Sequence, residues 1–216
     1  GSATLYFNQT WLEPPPGKTS ALLYHLAYQE KWLTRNALIY LFWPDTFEDK
    51  ARRNLRRLLS SIRDLEYTQD IEIETNRLRW LVDSDVKTFK EALAGQHLGK
   101  AVQLYGGELL AGFQPSNAPE FENWLELERQ AFHKSWRDAV LTLATEFEAR
   151  EQFAQAAEVL ERLHRAENAD EAVLRHYLGN LQHAGQQHKA LEIFEGFKKS
   201  LEHEFNAQAE TETLEL

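Results

Sequence analysis

The chain has 216 residues, 43% of them hydrophobic and 27% charged, which is the composition of an ordinary soluble globular protein with room for two domains. It contains no cysteine, so disulfides, thiolate metal sites and a cysteine nucleophile are excluded, and no apolar run approaches the ~18 residues of a membrane span. Net charge is −10, yet residues 1–83 carry 11 Lys and Arg against 11 Asp and Glu; of the chain's 24 and 34, the remainder holds 13 and 23. The acidic surplus therefore belongs to the C-terminal part alone. Methionine is also absent, and the start Gly1-Ser2 reads as the scar of tag removal, with the chain as a fragment of something longer.

Leu5 to Leu12 reads as a short hairpin, and Pro14-Pro15-Pro16-Gly17 then breaks regular structure. Leu22, Leu23, Leu26 and Ala27 predict a helix capped by Thr19 or Ser20, ending near Tyr28. A second short helix follows Thr34 and stops at Trp43-Pro44-Asp45, because proline disfavours helical geometry in the residue before it. A third runs from Glu48 to Leu65, with acids in its first turn and Ala51, Leu55, Leu58, Leu59, Ile62 and Leu65 on one face. At ~100° per residue from Leu55, Arg53, Arg57 and Ser60 fall opposite that face, at about 140–200°, with Arg56 and Arg63 near 80–100° and Arg52 near 60°. Ile71-Glu-Ile73-Glu and Leu78, Trp80, Val82 alternate with period two around Thr75-Asn76, which predicts a hairpin with Arg77 and Arg79 on its outer face.

From Asp85 onward the pattern is helical throughout. Beyond Phe121 it repeats at an offset of 34 residues: Val140 matches Leu174, Leu143 Tyr177, Ala144 Leu178, Phe147 Leu181, Ala156 Ala190, Leu160 Phe194 and Leu163 Phe197. That period, with a small residue where the paired helices cross, is the signature of tetratricopeptide (TPR) repeats. Glu151 stands where the second unit has the turn residue Gly185. The expected fold is thus mainly α, with a winged helix-turn-helix at 1–83, a TPR-like helical domain at 84–205 and a flexible acidic tail at 206–216.

Lys50, Arg52, Arg53, Arg56, Arg57 and Arg63 occupy a 14-residue stretch without a single acid. Arginine joins positive charge to a fork that reaches guanine edges, so Arg53, Arg56, Arg57 and Ser60 are the base-facing candidates; Arg52 and Arg63 suit phosphates or internal ion pairs. The competing reading is a solvated helix face whose arginines pair with acids such as Asp64. A two-helix lead-in before the basic helix and a hairpin bearing Arg77 and Arg79 after it favour DNA binding. His164, His176, His183 and His188 are scattered without carboxylates at ligand spacing, so no metal is expected. There is no G-x-S-x-G, and Gly17-Lys18-Thr19 lacks the earlier glycine of a phosphate loop, so neither catalysis nor a cofactor is expected.

Residues 15–65, "PPGKTSALLYHLAYQEKWLTRNALIYLFWPDTFEDKARRNLRRLLSSIRDL", with its Ala-Arg-x-x-Leu-Arg motif, resemble the winged-helix half of the antibiotic-regulatory activator (SARP) group. "LLAGF" followed by "EFENWLELERQAFHKSWRDAVLTLA", with Trp-Leu-x-x-Glu-Arg, resembles the start of the bacterial transcriptional activator domain (BTAD) found in that group. The resemblance implies a bacterial, cytoplasmic, nucleoid-associated activator of OmpR-like fold. It would place the Arg53, Arg56 and Arg57 helix in the major groove and the Arg77/Arg79 hairpin at the adjacent minor groove or backbone. It also implies that the helical domain dimerises or contacts RNA polymerase, with no membrane partner, and that an ATPase and sensor region can follow. The rivals are a TPR adaptor whose winged helix does not bind DNA, and a protein whose acidic helical half binds a small effector.

Overall fold

The computed structural model describes residues 1–115 and 117–214, the side chains of 204 and 205 aside. At the N-terminus, β1 (Leu5–Phe7) pairs antiparallel with β2 (Thr10–Leu12), Leu5 facing Leu12 and Phe7 facing Thr10. The two turn residues, Asn8 and Gln9, both have positive φ (48° and 64°), the geometry that matches the twist of a tight hairpin.

Helix α1 (Lys18–Gln29) begins earlier than the predicted Thr19 or Ser20 cap allows. Gly17 is the cap instead, at φ 78°, a left-handed conformation that costs glycine little. Ser20 turns its hydroxyl back to the carbonyl of Pro15 and so is not free to cap. A strand that the alternation did not reveal, β3 (Leu33–Thr34), leads into α2 (Arg35–Phe42), where Thr34 caps the helix by accepting from the Ala37 amide at 3.2 Å. Helix α3 spans Glu48–Arg63. Its C-terminal carbonyls are not left bare: the buried Thr68 hydroxyl donates to Ile62 O at 2.5 Å and to Leu65 O at 2.8 Å. The second hairpin is β4 (Glu72–Ile73) with β5 (Arg77–Arg79), and β3 completes a three-stranded antiparallel sheet in the order β3-β5-β4. Leu78, at the centre of that sheet, lies opposite both Leu33 and Ile73 and is fully buried.

The chain separates into two compact units, the first comprising 1–91 with 106–133 and the second 92–105 with 134–216. In the first, Leu22, Leu26, Leu38, Phe42, Leu55, Ile62 and Leu78 form one core, to which Leu109, Ala118, Phe121 and Leu125 are added from the later segment. Phe121 stacks on Phe42, with ring centroids 5.5 Å apart. Compactness therefore divides the chain elsewhere than at Asp83, because a winged helix of about 80 residues buries more of its apolar surface when a further helix covers it. Helices α4 (Asp85–Ala94) and α5 (Leu98–Leu104) follow the sheet. Helix α6 (Pro119–Glu148) gives its first turns to the first unit and its remainder, from Lys134, to the second.

The second unit is built on the 34-residue period. The end of α6 pairs with α7 (Phe153–Ala166), and α8 (Glu171–His183) pairs with α9 (Gln187–Ser200). Of the fourteen matched positions all are buried except Phe147 and Phe194, which are half-buried, and Ala156 and Ala190 both belong to the buried cluster. The turns share two bonds, Gln152 N to Phe147 O at 2.9 Å as Gln186 N to Leu181 O at 2.8 Å, and Glu151 N to Glu148 O at 2.9 Å as Gly185 N to Gln182 O at 3.0 Å. Glu151 adopts φ 57° where Gly185 adopts 74°, so the departure lies in residue type and not in backbone. After α9 come one π-helical turn (Leu201–Phe205) and a short α10 (Thr211–Leu214). Composition makes residues 206–216 a flexible tail, yet Arg175 holds Glu210 at 2.8 Å and Thr213 at 2.7 Å, and the Glu210 amide donates to Glu171. Positions 215 and 216 lie outside the described residues.

Candidate nucleic-acid interface

Helix α3 has two faces with different fates. Ala51, Leu55, Leu59 and Ile62 are almost fully buried, and their packing fixes the rotation of the helix so that Arg53, Arg56, Arg57, Ser60 and Arg63 are exposed. Among the described residues none of these four arginines takes part in an ion pair, and Asp64 makes none with them. The solvated face paired with acids, which the sequence left open, is thus not what the side chains do. Arg52 differs: its guanidinium pairs with Glu48 one turn earlier, which agrees with an internal ion pair.

The start of α2, the first turns of α3 and the turn between β4 and β5 surround a depression of about 600 Å³. Arg53 and Arg56 line it, with Arg52, Asp49, Thr75 and Asn76, whereas Arg57 and Ser60 lie beyond it on the same helix. Its wall includes Arg35, which the sequence reading passed over. The Arg35 amide donates to Asn76 O at 2.9 Å and its side chain to Glu74 O at 3.4 Å, while its buried Nε has no partner. The available signal is an arginine at the first helical position after a threonine cap.

The hairpin presents a different electrostatic surface from the one its arginines suggest. Arg77 grips Glu74 with two hydrogen bonds of 2.7 and 3.1 Å, and Arg79 grips Glu72 with the same pair of lengths. Both guanidiniums lie over the ring of Trp32, at 4.3 and 4.6 Å from its centroid. The Arg77 bonds hold the Glu74 carboxyl below its ordinary pKa, so it remains a charged competitor for any incoming phosphate. The hairpin is pre-ordered but neutral, whereas α3 is basic and open.

Elsewhere, His176 meets Glu148 at 2.6 Å, a partner 28 residues away that spacing could not show, and His188 meets Glu192 one helical turn on at 3.5 Å, a carboxylate at legible spacing, contrary to the expectation that these histidines lack one. Among the described residues no three His, Asp or Glu side chains gather as a metal site, and no helix is long and apolar enough to cross a membrane.

These features define a winged helix-turn-helix with an open arginine face, followed by TPR-like helical repeats. The family model of the bacterial transcriptional activator domain matches residues 83–216, and the chain belongs to that family. No curated protein matches it. Among solved structures, Mycobacterium tuberculosis EmbR in complex with a low-affinity phosphopeptide is similar, with a TM-score of 0.55 and 14% identity over 100% of this chain and 62% of that one. At that identity the likeness is one of fold, and the chain spans less than two thirds of the length of EmbR. The resemblance to the SARP group and its BTAD is upheld, as is the mainly α fold.

Proposed function

We propose that this chain is a sequence-specific, double-stranded-DNA-binding regulator of transcription, an activator in which residues 1–83 read DNA and the TPR-like domain at 84–205 makes protein contacts. The observation that carries this reading is the set of four unpaired arginines, Arg53, Arg56, Arg57 and Arg63, on the exposed face of a helix whose other face is locked in the core. A helix of this size fits the major groove, where Arg53, Arg56, Arg57 and Ser60 would face base edges and Arg63 the phosphates. Arg52, Arg77 and Arg79 would reach phosphates only by exchanging Glu48, Glu74 and Glu72 for them. The repeat domain would serve a second copy of the chain or RNA polymerase, and the protein would work in the cytoplasm, on the nucleoid.

The test is selection of genomic DNA fragments by the purified chain. An enriched common motif, lost when Arg53→Ala/Arg57→Ala is used at unchanged helical content by circular dichroism, is expected. Equal recovery of all fragments by both proteins would instead favour the adaptor reading, for which the neutralised hairpin is the supporting observation.

A further inference from the structure

Helix α3 carries one acid on its arginine face. At ~100° per residue from Leu55, Asp49 falls at about 120°, between Arg56 at about 100° and Arg53 at about 160°. Its side chain is exposed and lines the depression between α2, α3 and the β4–β5 turn together with Arg35, Arg53 and Arg56. Arg53 stands four residues on from Asp49, the spacing at which Glu48 and Arg52 do pair. Among the described residues, however, the Asp49 carboxylate takes neither a hydrogen bond nor an ion pair, and none of the three guanidiniums beside it has a carboxylate partner.

Local stability does not account for this acid. The positive end of the helix dipole favours a carboxylate in the first turn, but Glu48 already supplies one there. A carboxylate also repels phosphates, so Asp49 lowers the affinity for DNA of a face whose other charges are positive.

What the major groove offers to a free carboxylate is an exocyclic amine. Cytosine presents its N4 donor with no acceptor beside it, whereas adenine sets N7 next to N6 and guanine presents only the acceptors O6 and N7. The first turn is also the part of a recognition helix that reaches base edges. From this placement we infer that Asp49 is a specificity-determining residue, which accepts a hydrogen bond from N4 of a cytosine while its neighbour Arg53 forks onto a guanine. The inference rests on the DNA-binding reading above. Four residues of helix rise about 6 Å, close to two base steps of ~3.4 Å, so the cytosine stands within about two base pairs of that guanine.

The test is selection from a randomised pool of DNA duplexes, run in parallel with the full chain and with Asp49→Ala, Asp49→Asn and Arg53→Ala, each checked for unchanged helical content by circular dichroism. The wild type is expected to select a cytosine at one position, with other bases there binding about tenfold more weakly. Asp49→Ala is expected to lose that preference while binding random duplex more tightly at low salt, because a repulsive charge is gone. Asp49→Asn is expected to change the preferred base from cytosine to adenine, since an amide both accepts from N6 and donates to N7. Arg53→Ala is expected to lose a guanine no more than about two base pairs away. A wild-type motif that Asp49→Ala leaves unchanged, tighter binding by that variant with the base preferences intact, or a cytosine remote from the Arg53 guanine would overturn the inference and leave the DNA-binding reading standing. A wild-type chain that selects no motif would overturn both.

Discussion

His25 gives the first unit a pH-dependent stability that can be worked out from its surroundings. The ring is only 7% exposed, stands edge-on to Trp124 with centroids 4.4 Å apart, and leaves its buried Nδ1 without a partner. Burial, assisted by the charge of Lys31, lowers its pKa from 6.5 to about 4. The unfolded chain therefore binds a proton at this position near pH 6.5, while the folded chain refuses it until about pH 4. The neutral ring's full contribution is present above pH 6.5 and is lost as the pH falls toward 4. At ~1.4 kcal/mol per pKa unit, the difference amounts to about 3 kcal/mol over that window. Urea unfolding followed by tryptophan fluorescence at pH 7.5 and pH 4.5, with His25→Leu as the reference, measures it. The wild type is expected to lose about 2–3 kcal/mol more than the variant. An equal loss in both proteins, or a His25 imidazole proton titrating near pH 6.5 in nuclear magnetic resonance, would refute the reasoning.

Three further outcomes are expected. Glu72→Gln/Glu74→Gln releases Arg77 and Arg79 to phosphates and should tighten DNA binding at low salt by a factor on the order of ten, the gain fading as salt is raised; unchanged affinity would remove the hairpin from the interface. Glu151→Gly relieves a left-handed residue at φ 57° and should stabilise the second unit by about 0.5–1 kcal/mol in chemical denaturation. Asp170→Ala removes both the cap of α8, where Asp170 accepts from the Val173 amide at 3.0 Å, and a partner of Arg137 at 2.8 Å; a loss of about 1–2 kcal/mol should follow.

Local periodicity carried most of the fold. The face of α3 could be drawn from the spacing of Ala51, Leu55, Leu59 and Ile62, since burial of those four sets where Arg53 and Arg57 must point. The repeats were legible because the same buried positions recur after 34 residues. Three things were not. Strand β3 is two residues long, too short for alternation, and exists because Leu33 and Thr34 find Leu78 and Arg77. The joining of Leu109, Phe121 and Leu125 to the core around Phe42 depends on contacts far apart in sequence, which no local pattern encodes. The neutral hairpin could have been foreseen, because an antiparallel pairing about Thr75-Asn76 places Glu72 opposite Arg79, and opposite charges across strands attract. Counting basic residues without their register left that out.

The central claim, that the open face of α3 binds DNA, is tested most directly by the affinity of the chain for a selected DNA site as salt is raised. A steep linear fall of log affinity with log salt is predicted, with Arg53→Ala/Arg57→Ala weaker, less selective and shallower in slope by up to about 2. An affinity that is flat with salt, or identical in the folded double variant, would contradict the account.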